Sequence, residues 1–221
     1  MADRKFLDSV YALDGVDATR ALYSNWAASY DAEVGENGYV TPRRCAEALA
    51  AAVSGTDSRA QRGAQEDADG GLGAPLLDIG CGTGLSGLAF AAAGFSTMDG
   101  SDLTEEMLGK ARARGVYRRV WLADMNDDAP FEAGQYTHAA AVGLISPGHA
   151  PAGLIDAVMG ALPSGGCFVF SLNDHALADP SFEGRVREQA DTGAAQVMFR
   201  EHGDHLPGIG LASTVYVLRK R

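Results

Sequence analysis

A short apolar run followed at once by alternating glycines is the feature that most restricts how this chain can fold. Residues 76–79 read LLDI, a pattern typical of a buried strand, and Gly80, Gly82 and Gly84 follow. The next segment, LSGLAFAAAG, has the pattern of a helix that ends at Gly94. Glycine permits a tight turn and lets a ligand approach the backbone closely, because it has no Cβ. We therefore predict a strand, a glycine turn and a helix, and a turn with no ligand is the alternative interpretation.

The same alternation of strand and helix patterns continues along the chain. Helices are predicted from 104 to 115, from 151 to 162 and within 181–190. Further strands are predicted at 95–100, 120–123, 138–144 and 167–172, with a C-terminal hairpin formed by 196–200 and 214–218. This order is typical of an α/β domain in which helices cover both faces of a mostly parallel sheet. A length of 221 residues fits one such domain.

Two helices are predicted before the first strand, within residues 1–53. The second is expected at 42–53, and the first carries a stripe of residues at helical spacing: Leu22, Tyr23, Trp26 and Tyr30. Residues 54–74 contain one large apolar side chain, Leu72, among glycine, alanine and charged residues. Such a segment buries too little to offset the entropy of ordering, so we predict a flexible loop. The Rossmann-like core then occupies residues 75–221.

The charge balance and the apolar pattern restrict the possible partners. The chain has 18 basic and 29 acidic side chains, giving a formal net charge of −11. A charge of this sign repels phosphate backbones, so we predict no nucleic-acid partner. The start, MADRKFLDSV, carries charge where a signal peptide needs apolar residues, and no stretch reaches the ~18 apolar residues of a membrane span. We expect no membrane association and a cytoplasmic location.

The cysteines and histidines do not predict a metal site. Cys45, Cys81 and Cys167 are widely spaced with no CxxC motif, which excludes a disulfide framework and fits a reducing compartment. His202 and His205 lie close together beside acidic residues but lack a recognised ligand spacing. We expect both histidines in a solvent-exposed hairpin turn.

The spacing of the glycines and of one acid separates two classes of nucleotide site. A dinucleotide-binding GxGxxG motif needs glycine where this chain has Leu85, and the third glycine comes one residue early, at Gly84. This register disfavours a nicotinamide cofactor. Asp102 follows Gly80 by 22 residues and falls at the end of the second strand, where a carboxylate can accept bonds from ribose hydroxyls. A solvated loop acid or a helix cap is the alternative for Asp102.

The chain resembles class I S-adenosylmethionine-dependent methyltransferases in an ordered set of motifs: LLDIGCGTG, GSDLTEEMLGKA, ADMND, GLISPGHAP and LPSGGCFVFSL. With YSNWAASYD before them, the whole is most similar to the small methyltransferase-like proteins of the Williams-Beuren region type. The resemblance extends from about Leu22 to Arg219. It implies a seven-stranded sheet whose last strand is antiparallel, N-terminal helices that form a lid, and S-adenosyl-L-methionine as the cofactor.

The resemblance also implies binding roles for residues in four segments. They are Tyr23 and Tyr30 of the lid, Asp78, Gly80, Cys81, Gly82 and Gly84 around the glycine turn, Asp102 and Leu103, and Asp124 and Met125. Asp102 would bind the ribose hydroxyls, Leu103 would pack on the adenine, and Asp124 would accept from the adenine amino group. The backbone of Met125 would meet the ring, and Asp78 would orient the glycine loop. An ordinary solvated acid is the alternative for Asp124, and core packing is the alternative for the aromatic stripe.

The function implied is methyl transfer from S-adenosylmethionine to a small-molecule acceptor. This displacement requires alignment and exclusion of water, and it requires a base only when the attacking atom loses a proton. His149 is a candidate for that base, and a brace for the next helix is its alternative role. A non-catalytic S-adenosylmethionine-binding regulatory protein is the second hypothesis, and a nicotinamide-dependent oxidoreductase is the third. The sequence leaves the acceptor and the oligomeric state open.

Overall fold

The computed structural model describes residues 15–60, 71–124 and 128–221. Three helices precede the first strand in this part of the chain: α1 (Val16–Trp26), α2 (Tyr30–Glu36) and α3 (Thr41–Ala60). The predicted first helix is therefore divided, because the chain turns after Trp26 and a second helix starts at Tyr30. Residues 1–14 of the predicted lid lie outside the described residues.

The predicted loop at 54–74 needs correction at both ends. Helix α3 continues to Ala60, seven residues beyond the predicted end of the helix. At the other end, Leu72 packs against the core and Ala74 is buried. The prediction was based on the number of apolar side chains, which indicates how well a segment can pack against a core. Polar residues can nevertheless extend a helix that has already formed. Residues 61–70 lie outside the described residues, so the predicted flexibility there stays a prediction.

The seven strands form one sheet in the order β3-β2-β1-β4-β5-β7-β6. The five parallel strands are β1 (Leu76–Ile79), β2 (Met98–Asp102), β3 (Val120–Leu122), β4 (His138–Ala141) and β5 (Cys167–Asn173). The hairpin strands are β6 (Ala195–Leu206) and β7 (Leu211–Lys220), and β7 is antiparallel to both β5 and β6. This arrangement confirms the predicted fold class, including the antiparallel last strand.

Helices cover both faces of the sheet. The connecting helices are α4 (Leu85–Ala92), α5 (Glu105–Arg114), α6 (Gly153–Ala161), α7 (Asp174–Leu177) and α8 (Pro180–Asp191). One core lies between the sheet and α3 and α4, and it includes Leu49, Leu76 and Phe90. The other lies against α6 and α8 and includes Leu77 and Val158. All seven residues of β5 are buried, as expected for a central strand covered on both sides.

The hairpin corrects the prediction for His205. This residue is 5% exposed, its Nδ1 lies 2.8 Å from Oγ1 of Thr41, and its ring packs edge-on against Tyr39. Burial and the nearby Arg44 lower its pKa to about 4, so the imidazole is neutral near pH 7. The sequence did not reveal that α3 covers this end of β6. His202, by contrast, is largely exposed, as predicted, although it lies within strand β6 and not in the turn.

Two predictions about environment can be compared with the described residues. None of their helices is both long enough and apolar enough to cross a bilayer. They contain no group of three or more His, Cys, Asp or Glu side chains arranged to hold a metal ion. The cytoplasmic location stays a prediction.

Candidate active site

A cavity of about 700 Å³, including the solvent at its mouth, lies where the strands meet α1 and α2. Its position at the carboxyl ends of β1, β2 and β4 is where ligands bind in open α/β sheets. The structure brings together eight predicted residues in its wall: Tyr23, Tyr30, Gly80, Gly82, Asp102, Leu103, Asp124 and His149. The volume suits a small-molecule ligand.

Asp102 is held in the cavity wall by backbone donors. The N–H of Gly82 donates to its Oδ2 (2.9 Å), and the N–H of Thr104 donates to its Oδ1 (3.1 Å). Burial raises its pKa above the ordinary value, although these hydrogen bonds act in the opposite direction. Asp102 therefore both braces the glycine loop and presents a carboxylate to the cavity.

The glycine turn adopts the positive φ angles that the prediction required: 66° at Gly80, 52° at Gly82 and 88° at Gly84. A Cβ at Gly82 would meet no atom within 4 Å, so this side of the loop is open. A Cβ at Gly84 would instead lie 2.9 Å from Cγ of Arg114. Gly84 is thus needed for packing against the end of α5, and it does not line the main cavity.

Three other predicted residues lie away from the main cavity or outside the described residues. Asp78 is buried beneath the loop and accepts hydrogen bonds from Ser86 and Tyr117. Cys81 is also buried and lines a smaller neighbouring cavity of about 260 Å³, and burial raises the pKa of its thiol. Met125 lies outside the described residues. Direct cofactor contact by these residues stays a prediction.

The predicted aromatic stripe divides between two roles. Tyr23 and Tyr30 line the cavity, with ring centroids 6.4 Å apart. Trp26 is 2% exposed and packs between them, with centroid distances of 5.6 Å to Tyr23 and 4.7 Å to Tyr30. Its indole N–H donates to Oε2 of Glu33 (2.8 Å), which ties α1 to α2. Trp26 is therefore a core residue, and the two tyrosines face the cavity.

His149 lies in the cavity wall after β4. Its Nδ1 is 2.9 Å from Oγ of Ser146, and its ring meets the edge of Tyr23 at a centroid distance of 5.7 Å. Burial lowers its pKa, opposed by a hydrogen bond with the Pro147 carbonyl, so the ring is neutral near pH 7. This is the state in which an imidazole can accept a proton.

Sequence reasoning missed five residues of the cavity wall: Thr19, Met107, Val142, Gly143 and Leu144. A signal existed for the last three, because they directly follow β4 and ligands bind beyond the carboxyl ends of strands. For Met107, the only signal in the sequence was its position in the first turns of α5. For Thr19 the sequence held no local signal, since its place in the wall depends on a long-range hydrogen bond from its hydroxyl to the Gly148 carbonyl (2.7 Å).

Comparison with known proteins finds a match to a family of domains and a relative that aligns with 145 residues of this chain. Residues 76–166 match the family described as "Methyltransferase domain". The human protein "Methyltransferase-like protein 27" is 30% identical over 145 residues, which cover 65% of this chain and 54% of that protein. This chain thus spans about half the length of that relative.

A second relative corrects the prediction that nucleic acid is not a partner. The "18S rRNA (guanine(1575)-N(7))-methyltransferase" of Saccharomyces cerevisiae is 36% identical over 70 residues, covering 32% of this chain and 26% of that protein. The name of this relative says that it methylates RNA, so the exclusion of nucleic acid does not hold. The exclusion was wrong because net charge describes the long-range field of a whole chain and says little about one binding surface.

Among solved structures, an S-adenosylmethionine-dependent methyltransferase from Mesorhizobium loti has a TM-score of 0.54 and 20% identity. The match covers 67% of this chain and 91% of that one. At this identity the similarity concerns the fold alone.

Proposed function

We propose that this chain, a class I S-adenosylmethionine-dependent methyltransferase in its fold and in its matched domain, transfers the methyl group of S-adenosylmethionine to a small-molecule acceptor. The predicted fold is confirmed and residues 76–166 match a methyltransferase domain, whereas the cofactor, the activity and the acceptor are the proposal. The finer resemblance to the Williams-Beuren region type, based on YSNWAASYD and the later motifs, is part of this proposal.

The residues of the cavity fit the parts of S-adenosylmethionine. The open side of Gly82 leaves room beside the backbone, and the Asp102 carboxylate is chemically suited to accept ribose hydroxyls. Leu103 and Met107 supply apolar surface suited to a purine face, and Asp124 supplies an acceptor for its amino group. When bound, S-adenosylmethionine supplies an electrophilic methyl group on a sulfonium.

The observation that carries the proposal is the position of Asp102 at the glycine loop. Two backbone N–H groups fix its carboxylate in the cavity wall at the end of β2, and so its orientation exists before any ligand arrives. Preorganised acceptors bind more strongly because little ordering remains to be done on association. This geometry supports ribose recognition directly.

The aromatic part of the wall supports a small, uncharged acceptor group. The rings of Tyr30 and His149 lie on either side of Tyr23, with centroid distances of 6.4 and 5.7 Å. The charged side chains among the described residues of the cavity wall are the acids Asp102 and Asp124. These surfaces exclude water and align an apolar or aromatic molecule. His149, neutral near pH 7, would hold the proton that an oxygen or nitrogen acceptor releases.

Calorimetric titration with S-adenosylhomocysteine tests the cofactor site. Asp102→Ala should weaken binding by about 2 to 5 kcal/mol, thirtyfold to several thousandfold in Kd, because two charge-assisted hydrogen bonds are lost. Asp191→Ala, which removes the same charge from an exposed position at the end of α8, should leave Kd unchanged. Equal small losses for the two variants would remove Asp102 from the site.

Transfer of a labelled methyl group tests the acceptor. The protein is incubated with methyl-labelled S-adenosylmethionine and, separately, with a small-metabolite extract or with total RNA. We expect label in the metabolite fraction and a roughly 100-fold lower rate for His149→Gln, with His202→Gln as the exposed control. Label in RNA alone would overturn the small-molecule acceptor, and binding with no transfer to either would favour the non-catalytic hypothesis.

A further inference from the structure

The carboxylate of Asp31 connects helix α2 to two distant parts of the chain. Its Oδ1 accepts the hydroxyl of Thr83 in the glycine loop (2.5 Å), and its Oδ2 accepts Nη2 of Arg114 at the end of α5 (2.5 Å). The side chains of Asp31 and Arg114 are 32% and 29% exposed. An ion pair that is mostly shielded from water is screened less than one at the surface. We call these three residues the lid bridge.

Arg114 also fixes the backbone of the glycine loop. Its Nε donates to the carbonyl of Thr83 (3.2 Å), while its Cγ lies close to Gly84. The loop contains three glycines with positive φ, which are conformationally permissive, and these contacts add to the brace that Asp102 provides at Gly82. The lid bridge therefore holds the loop at Thr83, through both its backbone carbonyl and its side chain.

The same contacts position one wall of the cavity. Asp31 directly follows Tyr30, which lines the cavity, so the bridge sets the distance between that ring and the loop. Two further hydrogen bonds that join the N-terminal helices to α5 are more exposed, from Ser24 to Glu106 (2.8 Å) and from Lys110 to the Ala28 carbonyl (3.2 Å). Opening the cavity on the α2 side requires the lid bridge to break.

We propose that Asp31, Thr83 and Arg114 are positioning residues that keep α2 closed over the cofactor, and that release of the product S-adenosylhomocysteine waits for this bridge to open. The proposal depends on the proposed function, because it assigns the residues that control access to the same site. It predicts a specific kinetic effect, since loss of a closing contact accelerates dissociation more than association.

The test measures association and dissociation of S-adenosylhomocysteine by surface plasmon resonance on the full chain. Asp31→Asn retains the size of the side chain, and Arg114→Gln is shorter but retains the Cγ that packs near Gly84. Each should raise the dissociation rate about tenfold and change the association rate less than twofold. The double variant should be no faster than either single variant, because the two residues form one contact. Asp17→Asn, which breaks an exposed ion pair with Arg20 on α1, is the matched control and should have no effect.

Hydrogen exchange of the backbone amides of 31–36, with no ligand present, gives a second readout. Asp31→Asn should exchange faster there than wild type, and Asp17→Asn should not. Unchanged dissociation rates overturn the proposal, as does a lower melting temperature with unchanged kinetics, which is the result of a merely structural contact. If the wild-type protein binds no S-adenosylhomocysteine, the proposed function fails. Hydrogen exchange then tests the lid bridge by itself: unchanged exchange in Asp31→Asn would overturn the bridge, and faster exchange would support it as the contact that closes α2.

Discussion

Two buried carboxylates on neighbouring strands have opposite surroundings. Among the described residues, the donors to Asp78 on β1 are neutral: Ser86 and Tyr117, both to Oδ2 at 2.6 Å. Its Oδ1 has no hydrogen-bond partner among the described residues. Asp99 on β2 receives two guanidinium groups and a phenol. The register pairs Leu77 with Asp99 and Asp78 with Gly100, so the two carboxylates point to opposite faces of the sheet.

The pKa values of the two acids shift in opposite directions. Burial raises the pKa of Asp78 to about 6, because its hydrogen bonds with neutral groups do not compensate for lost hydration. Burial also acts to raise the pKa of Asp99, but hydrogen bonds from Arg118, Tyr136 and Arg119 outweigh it and lower that pKa. The poorly compensated acid is the one beneath the glycine loop. Perturbed acids of this kind concentrate at functional sites, whereas fully paired acids are typical of structural networks.

The largest expected effect is on stability when Asp99 is replaced. Asp99→Asn should reduce the free energy of unfolding by about 2 to 4 kcal/mol, because the buried phenol of Tyr136 and both arginines lose a charged acceptor. The arginines are half exposed and can turn to water, which limits the loss. Urea unfolding gives the stability, and the Kd for S-adenosylhomocysteine should not change. A large loss of affinity in the folded variant would place Asp99 in the site and remove the contrast.

The second prediction concerns the pH dependence that Asp78 causes. Its pKa is about 6 in the folded state and 3.8 as the ordinary value, so the folded state holds its proton more tightly. The contribution of protonated Asp78 to the free energy of unfolding is fully present below pH 3.8 and is lost as the pH rises through 6. Between pH 5 and 7.5 the loss from this one group is about 1.4 kcal/mol. Asp78→Asn should remove that decline when urea unfolding of both proteins is compared across this range. The pKa of Asp99 is lowered, so the pH dependence that it causes should have the opposite sign. Its contribution to stability should be lost only as the pH falls below 3.8, the ordinary pKa of an aspartate. Parallel pH profiles for wild type and Asp78→Asn would contradict the assignment.

The smallest effect compares the two phenols that donate to these acids. Tyr117→Phe removes one of two neutral donors to Asp78 and should cost about 1 kcal/mol near pH 7.5. It should also steepen the decline of stability between pH 5 and 7.5, because the pKa of Asp78 rises further. Tyr136→Phe removes the same group from Asp99 but leaves both arginines, so its pH profile over this range should match wild type. Identical slopes for both variants would mean that the two environments do not differ as described.

The sequence predicted features that depend on local pattern. The N-cap at Thr104, which accepts the Met107 N–H at 3.4 Å, and the helix end at Gly115, with φ of 69°, lie where the sequence placed them. Strand β2 was less accurate, since the structure places it at Met98–Asp102 and the prediction at 95–100. Caps and glycine ends depend on neighbouring residues, whereas strand ends depend on which partner strand is paired.

Sequence alone determined the alternation of strands and main helices after the first strand, the glycine turn and the placing of Asp102 at a strand end, because hydrophobic periodicity and backbone freedom act within a few residues. Only the tertiary structure decided that Asp78 receives neutral donors while Asp99 receives two guanidinium groups, since these partners depend on sheet register and on how the residues after α5 pack. The same holds for the bond between Asp31 and Thr83, which are 52 residues apart in the chain. Contacts across such distances form only when the whole sheet and its helices are in place, so no local pattern encodes them.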